Sequence, residues 1–226
     1  MLKRLKMLGV AALATILMAV PASAATVIDF QTGLAGEGGI ISWDGTNLIG
    51  SNIPIGAMSV SNAPTNNGVY LVNGLVPAQG GGLYGSLNFN TSADNNFINI
   101  MGCIPGLTIG TIDDSGNCTQ PVTLMEGTIQ SYFDVASANG LIGVFGDDVK
   151  NAQLLEAIGF PTDLPWQYFG FSMSTLGLNP DGTPGTVISS DIRNTVVPEP
   201  ATMMLLGTGL LAAFRARRKQ QQQQQL

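Results

Sequence analysis

Residues 128–135 read Thr-Ile-Gln-Ser-Tyr-Phe-Asp-Val, and this stretch indicates the fold class most clearly. Its odd positions place Ile, Ser, Phe and Val on one face, and its even positions place Thr, Gln, Tyr and Asp on the other. Successive side chains of a β-strand point to opposite faces, so a period of two predicts a strand. The sequence therefore predicts a strand over residues 128–135.

Similar segments lie on both sides of this strand. Residues 169–176 alternate in the same way, with Phe169, Phe171 and Met173 predicted to face inward. Turn residues separate further predicted strands at 26–30, 39–43, 46–49, 68–72, 86–90, 97–101, 141–145, 186–190 and 193–197. Many short alternating strands divided by Gly, Asn and Asp favour a mostly β fold, and we expect an antiparallel β-sandwich.

One short helix is predicted after the strand at 141–145. Its apolar residues recur near the helical period and are Val149, Leu154, Leu155 and Ile158. Asp147 or Asp148 is expected to cap its N terminus, and Gly159 to end it.

The N terminus has the three parts of a secretory signal peptide. A basic segment precedes an apolar run over residues 7–20 and a small-x-small cleavage site formed by Ala22 and Ala24. The sequence predicts a signal peptide over residues 1–24, removed by signal peptidase, and a mature chain that begins at Ala25. An N-terminal membrane anchor is the alternative, for which the apolar run is short.

The C terminus also has three parts, of which the first is the motif Pro198-Glu199-Pro200. An apolar run over residues 201–214 follows, and as a helix it would span about 21 Å at about 1.5 Å per residue. The hydrocarbon core of a bilayer is about 30 Å thick. The run therefore suits a temporary membrane stop better than a permanent anchor.

A basic cluster ends this region and sets its predicted orientation. Positive residues stay in the cytoplasm, so the motif would face the periplasm. The two prolines fix the backbone in an extended form that an enzyme can grip. The cluster is Arg215, Arg217, Arg218 and Lys219, and a glutamine-rich tail follows at 220–226.

This arrangement, residues 198–219, resembles the PEP-CTERM sorting domain of Gram-negative bacteria that make extracellular polysaccharide. The resemblance implies a precursor held transiently in the inner membrane and cut near the motif by an exosortase, a membrane-embedded cysteine transpeptidase. It also implies delivery to the cell surface or the extracellular matrix. An ordinary tail anchor, with prolines that merely break a helix, is the alternative.

Residues 25–197 form the predicted β-rich extracellular domain, and their charge is strongly acidic. They contain two basic residues, Lys150 and Arg193, and fourteen acidic ones, a net charge of −12 against −6 for the whole chain. Such a surface repels nucleic acid and anionic membranes, so no nucleic-acid partner is predicted.

Two cysteines, Cys103 and Cys118, bracket a loop rich in glycine and aspartate. An even pair in an exported chain predicts a disulfide, which would stabilise a loop of this size by about 3 kcal/mol. A free reactive thiol is the alternative, although the chain has no histidine to activate it.

The absence of histidine also excludes Ser-His-Asp and Cys-His triads and most zinc sites. No catalytic residue and no cofactor is predicted, although a pair of carboxylates could still support a hydrolase. Asp113 and Asp114 are the metal candidates, because carboxylates clustered with turn residues suit calcium. The same residues also fit an ordinary turn.

Exposed aromatic rings can stack on sugars, and Trp166, next to Pro165 in a loop-like stretch, is the first candidate platform. Trp43 is the second, and packing in the core is the alternative for both. We therefore expect a non-enzymatic envelope or biofilm-matrix protein. A module that binds extracellular polysaccharide is the alternative function, and a carboxylate-based hydrolase is the third.

Overall fold

The computed structural model describes residues 25–133, 141–162 and 169–195, and fourteen strands run through this part of the chain. In chain order they are β1 (Val27–Gln31), β2 (Gly38–Trp43), β3 (Leu48–Ile55), β4 (Ala57–Ser61), β5 (Gly68–Leu71), β6 (Asn73–Pro77), β7 (Leu83–Asn90), β8 (Phe97–Gly102), β9 (Thr111–Ile112), β10 (Cys118–Gln120), β11 (Val122–Phe133), β12 (Leu141–Lys150), β13 (Phe169–Leu176) and β14 (Gly185–Thr195). One α-helix, α1, covers Ala152–Ala157, and two single 3-10 turns cover Gly33–Ala35 and Pro105–Leu107.

Eight of these strands close into an antiparallel barrel. Their order around the ring is β13, β12, β11, β8, β7, β3, β2 and β14, and β14 pairs again with β13. The mostly β class with one short helix is confirmed, but the structure shows a closed barrel with additional strands in place of the predicted sandwich. The reason is the β13–β14 pairing, which joins the two edges that a sandwich leaves apart.

Three of the additional strands, β1, β4 and β5, branch from the barrel at β14. The first residues of β14 pair with β2, whereas Asp191–Thr195 pair with β1 on the same edge. β4 and β5 extend the sheet beyond β1, β6 pairs with the start of β7, and β9 and β10 form a separate two-stranded sheet. The strands predicted at 186–190 and 193–197 are therefore one strand as far as Thr195, and positions 196–197 of the second prediction lie outside the described residues.

Side chains fill the barrel interior. The rings of Phe89 on β7 and Phe171 on β13 lie 5.4 Å apart between centroids, at an interplanar angle of 57°. These two strands stand opposite each other in the ring, so this contact crosses the barrel. Both side chains belong to a single buried cluster that also includes Ile28 and Phe30 of β1.

Two glycines make room for the large rings of this core. A Cβ at Gly50 would lie 2.2 Å from Cε1 of Phe89, and a Cβ at Gly146 would lie 2.7 Å from Cε1 of Phe169. In both cases the glycine is the cross-strand partner of the phenylalanine. The rings therefore lie over bare backbone, where any other residue would displace them.

The alternation that predicted β11 is interrupted by a bulge. The register with β12 shifts between Ile129 and Ser131, so Gln130 is the extra residue. Ile129 is buried whereas Gln130 and Ser131 are both exposed, so the prediction that Ile129 and Ser131 share one face is wrong. A bulge of this kind reverses which residues face the core beyond it.

The helix begins later than the sequence predicts. β12 continues through Lys150, so Asp147, Asp148 and Val149 belong to a strand and neither aspartate caps the helix. The cap is Asn151, whose Oδ1 accepts from the N–H groups of Gln153 and Leu154.

The helix ends as predicted. Gly159 has φ of 86° and donates to the carbonyl of Glu156, and Phe160 donates to the carbonyl of Leu155. This pair of bonds is a Schellman motif.

Replacing Phe89 by alanine should destabilise the fold by about 3–5 kcal/mol, because the ring is fully buried and its loss leaves a cavity across the barrel. Val69→Ala, at a side chain that is 75% exposed, is the control and should change stability by less than about 0.5 kcal/mol. Urea unfolding followed by tryptophan fluorescence measures both. Equal midpoints for the two variants would show that the ring does not support the barrel.

Candidate functional site

Most residues predicted to carry sorting lie outside the described residues. These are the cleavage positions Ala22 and Ala24, the motif Pro198, Glu199 and Pro200, the basic cluster Arg215, Arg217, Arg218 and Lys219, and the candidate sugar platform Trp166. Their roles stay predictions from the sequence. The described part of the chain shows where the ends of the folded domain lie and what its own polar groups do.

The predicted disulfide is present. Cys103 follows β8 and Cys118 begins β10, and their Cα atoms lie 5.6 Å apart across the S–S bond. Both cysteines are buried, and Cys103 also pairs through its backbone with Asn73 of β6. The bond therefore fastens the β9–β10 loop to the wall of the barrel.

The calcium candidates lie at the tip of that loop. The carboxylate of Asp113 accepts from the N–H groups of Ser115 and Asn117 and from the side-chain amide of Asn117. The bond from the Asn117 side chain is the main reason that the pKa of Asp113 is lowered. Both oxygens are thus used in closing a turn, Asp114 is exposed beside it, and the described residues contain no group of three or more acidic or sulfur ligands placed to hold a metal.

Trp43, the second candidate sugar platform, ends β2. Its side chain is half-buried and packs against the hydrophobic core, and its carbonyl accepts from the N–H of Gly182. Only part of the ring is therefore open to a ligand, and sugar binding by Trp43 stays a prediction.

A carboxyl pair that the sequence did not single out lies where β1 meets β14. Burial, followed by the hydrogen bond and charge of Asp191, raises the pKa of Asp29 to about 7. The Gln31 side chain and the charge of Arg193 act in the opposite direction, and Gln31 Nε2 donates to Asp29 Oδ2 at 3.2 Å. Asp29 thus keeps its proton up to about neutral pH.

A shallow groove of about 330 Å³ lies beside this pair. Its lining includes Gln31, Asp191 and hydroxyl groups of β13 and β14. Within it, Ser190 and Thr32 are buried and hydrogen-bonded to each other at 2.9 Å. The second oxygen of Asp29, Oδ1, is buried and has no partner among the described residues, so it does not open into the groove.

The acid pair was missed because its members come from the first and the last described strands. Each aspartate alone looks like a solvent-facing strand residue, and only the register Asp29↔Arg193 and Gln31↔Asp191 brings the groups together. No motif in the sequence signals this pairing.

The comparisons with known proteins identify the C-terminal region. The family model of the PEP-CTERM protein-sorting motif matches residues 196–219. No curated protein and no solved structure matches the chain significantly. The chain therefore carries a PEP-CTERM protein-sorting motif at residues 196–219.

No helix within the described residues is long and apolar enough to cross a membrane. The apolar run at 201–214 lies outside those residues.

The disulfide should stabilise the domain by about 3 kcal/mol, since it closes a loop of about fifteen residues in the unfolded chain. Urea unfolding of the Cys103→Ala, Cys118→Ala double variant against the oxidised protein measures this difference. Peptide mapping without reduction should show the two cysteine peptides linked. Free alkylation of both thiols in the native protein would contradict the bond.

The domain should lose stability as the pH rises from about 4 to about 7. Asp29 keeps its proton up to about pH 7 in the folded state but releases it near 3.8 when unfolded, so the folded state binds the proton more tightly across this window. Above pH 7 that contribution is absent. Asp29→Asn should therefore flatten the decline between about pH 4 and about pH 7, measured by urea midpoints.

A control change at the exposed Asp94, to asparagine, should leave that slope as in wild type. Turn hydrogen bonds lower the pKa of Asp44, Asp113 and Asp181, and these groups affect stability only below about pH 4. A slope that persists in Asp29→Asn would show that Asp29 does not hold the proton.

Proposed function

We propose that this protein is exported through its signal peptide, held in the inner membrane by residues 201–214, and cut by an exosortase near Pro198-Glu199-Pro200. The trimmed domain then serves as a non-enzymatic component of the envelope or of a polysaccharide-rich biofilm matrix. The observation that carries this proposal is the match of the sorting motif to residues 196–219.

The position of the chain ends supports removal of both tags. β14 stays paired through Thr195, whose partner on β1 is Val27. The predicted signal cleavage after Ala24 and the sorting motif at Pro198 therefore each lie within three residues of this last pair. Cutting at both sites would remove no residue that pairs in the described barrel.

The charge of the domain supports a soluble, extracellular end product. With a net charge of −12, residues 25–197 are repelled by anionic lipid once the basic ends are removed. The seven basic residues outside this domain all lie in the segments that processing would discard. Processing would thus turn a membrane-associated precursor into an acidic, hydrated domain.

A hydrolase is less well supported than a non-enzymatic role. A general acid must reach its substrate within hydrogen-bond distance. One oxygen of Asp29 is buried, and the other is occupied by Gln31. The carboxyl pair therefore accounts for local packing between β1 and β14 more simply than for catalysis. No contact among the described residues favours carbohydrate binding over the envelope role. Carbohydrate binding remains the alternative function.

Replacing Pro198, Glu199 and Pro200 by alanine should leave an unprocessed form in the inner membrane, because the apolar run and basic cluster remain but the extended recognition segment is lost. The matched control changes two prolines and an acid in an exposed loop of the domain, Pro180, Asp181 and Pro184, to alanine. Fractionation of native-host cells with intact-mass analysis compares the two variants with wild type.

Wild type and control should yield a mature species that begins at Ala25 and lacks residues 215–226. If the motif variant is trimmed like the control, the motif is not the recognition element and the C terminus is an ordinary anchor. A dominant wild-type species that retains residues 215–226 would overturn the processing proposal as a whole.

A further inference from the structure

A lysine, a carboxylate and a side-chain amide meet inside the barrel. Lys150 Nζ donates to Asn194 Oδ1 at 2.9 Å and forms an ion pair with the carboxylate of Asp148. The side chains of Lys150 and Asp148 are both completely inaccessible to solvent, and Asn194 is fully buried. This cluster is separate from the carboxyl pair at Asp29.

The strands hold the three groups in fixed positions. Asp148 and Lys150 are two residues apart on β12, so both point inward, whereas Val149 between them is 64% exposed. Asn194 lies near the end of β14, and its Nδ2 donates to the carbonyls of Ile28 and Ile192. The plane of the amide is therefore fixed, with its carbonyl oxygen directed at the lysine.

The surroundings of the cluster are apolar. Met125 is the cross-strand partner of Lys150, and Ile28 and Phe169 are the partners of Asn194. These three partner residues are fully buried. Burial of Lys150 among them lowers its pKa well below the usual value. Desolvation thus favours the neutral amine, which is the nucleophilic form of lysine.

Stability alone does not explain this arrangement. Burying an ion pair costs desolvation free energy that its attraction often fails to offset, and apolar residues of similar size commonly do as well. Asp148 Oδ1 is also buried without a hydrogen-bond partner among the described residues. An unsatisfied carboxylate oxygen beside a lysine and a fixed amide suggests proton transfer during a reaction.

We propose that Lys150 and Asn194 form an intramolecular amide bond, with Asp148 as the proton carrier. Lys150 first transfers a proton to the Asp148 carboxylate, and its neutral Nζ attacks Asn194 Cγ. The new C–N bond forms as the carbonyl electrons move to oxygen, and Asp148 donates its proton to the departing Nδ2. As the carbonyl forms again, Nζ releases its second proton to the Asp148 carboxylate, which leaves a neutral amide N–H. The Cγ–Nδ2 bond breaks and ammonia leaves.

The protons balance without any further reactant. The lysine ammonium begins with three protons and the asparagine amide with two. One ends on the new amide nitrogen, three on ammonia and one on Asp148, so no oxidant or external base is required. Holding the groups in contact replaces an encounter between separate molecules. Exclusion of water protects the product from hydrolysis.

The bond would connect two strands that are not hydrogen-bonded to each other. β13 lies between β12 and β14 in the ring. Asn194 is also four residues before Pro198 of the sorting motif. The bond would therefore fasten the last strand of the domain, close to the point where an exosortase would cut, to the barrel wall.

Trypsin provides a direct test on the full chain isolated from its host, because the domain contains only two cleavage sites, after Lys150 and after Arg193. After reduction and denaturation, wild type should resist cleavage at Lys150. The peptide that begins at Asn194 should stay attached to the fragment containing Lys150, and the branched species should be lighter than the sum of its parts by about 17 Da, the mass of ammonia.

Asp148→Asn removes the proton carrier with little change in shape and should restore cleavage after Lys150 and the full mass. Asp147→Asn, at the exposed neighbouring acid, is the matched control and should keep the branched species. The wild-type result alone decides the proposal if Asp148→Asn does not fold. Cleavage of wild type at Lys150 with the full mass would show only an ion pair, and a mass loss mapped to any residue other than Asn194 would also overturn the assignment.

Discussion

The contact between Phe89 and Phe171 sets the dimensions of the barrel. The rings reach each other from opposite walls, and the rings of Phe89 and of Phe169, which stacks with Phe171, each approach the backbone of a glycine. Gly50 and Gly146 supply that approach on the neighbouring strands. A wider barrel would separate the rings and leave a void, and a narrower one would force them into backbone, so packing, strand number and glycine placement depend on one another.

Local patterns predicted individual elements well, whereas closure of the sheet could not be read from them. Period-two alternation located most of the long strands, and Gly159 located the end of the helix, because each signal depends on a few neighbouring residues. The β13–β14 pairing joins residues that are distant in the sequence, and nothing local distinguishes a closed sheet from a sandwich. The bulge at Gln130 is similarly invisible, since it depends on the register with β12.

The misplaced helix start has a more specific cause. Along the end of β12 the usual polarity is inverted, with Asp148 and Lys150 inside and Val149 outside. A strand that buries charge and exposes valine does not show the alternation expected of a half-buried strand. The prediction therefore assigned these residues to the helix that follows. The strand prediction thus failed at the buried ion pair of Asp148 and Lys150. Sequence reasoning fails here because a buried ion pair reverses the polarity on which the strand pattern depends.

Both basic residues of the domain lie close to the junction of its two ends. Arg193 faces Asp29 across the β1–β14 ladder, and Lys150 contacts Asn194, the next residue of β14. Lys150 is buried and paired with Asp148, so the exposed Arg193 is the one basic residue of the domain left on its acidic surface. The end of β14 therefore combines three roles: it closes the barrel through β13, it pairs with the first strand, and it leads into the sorting motif at 196–219. If the C terminus is tethered in the membrane, a pulling force would act first on β14. Because β14 is hydrogen-bonded to neighbouring strands on both edges, many hydrogen bonds would resist that force together.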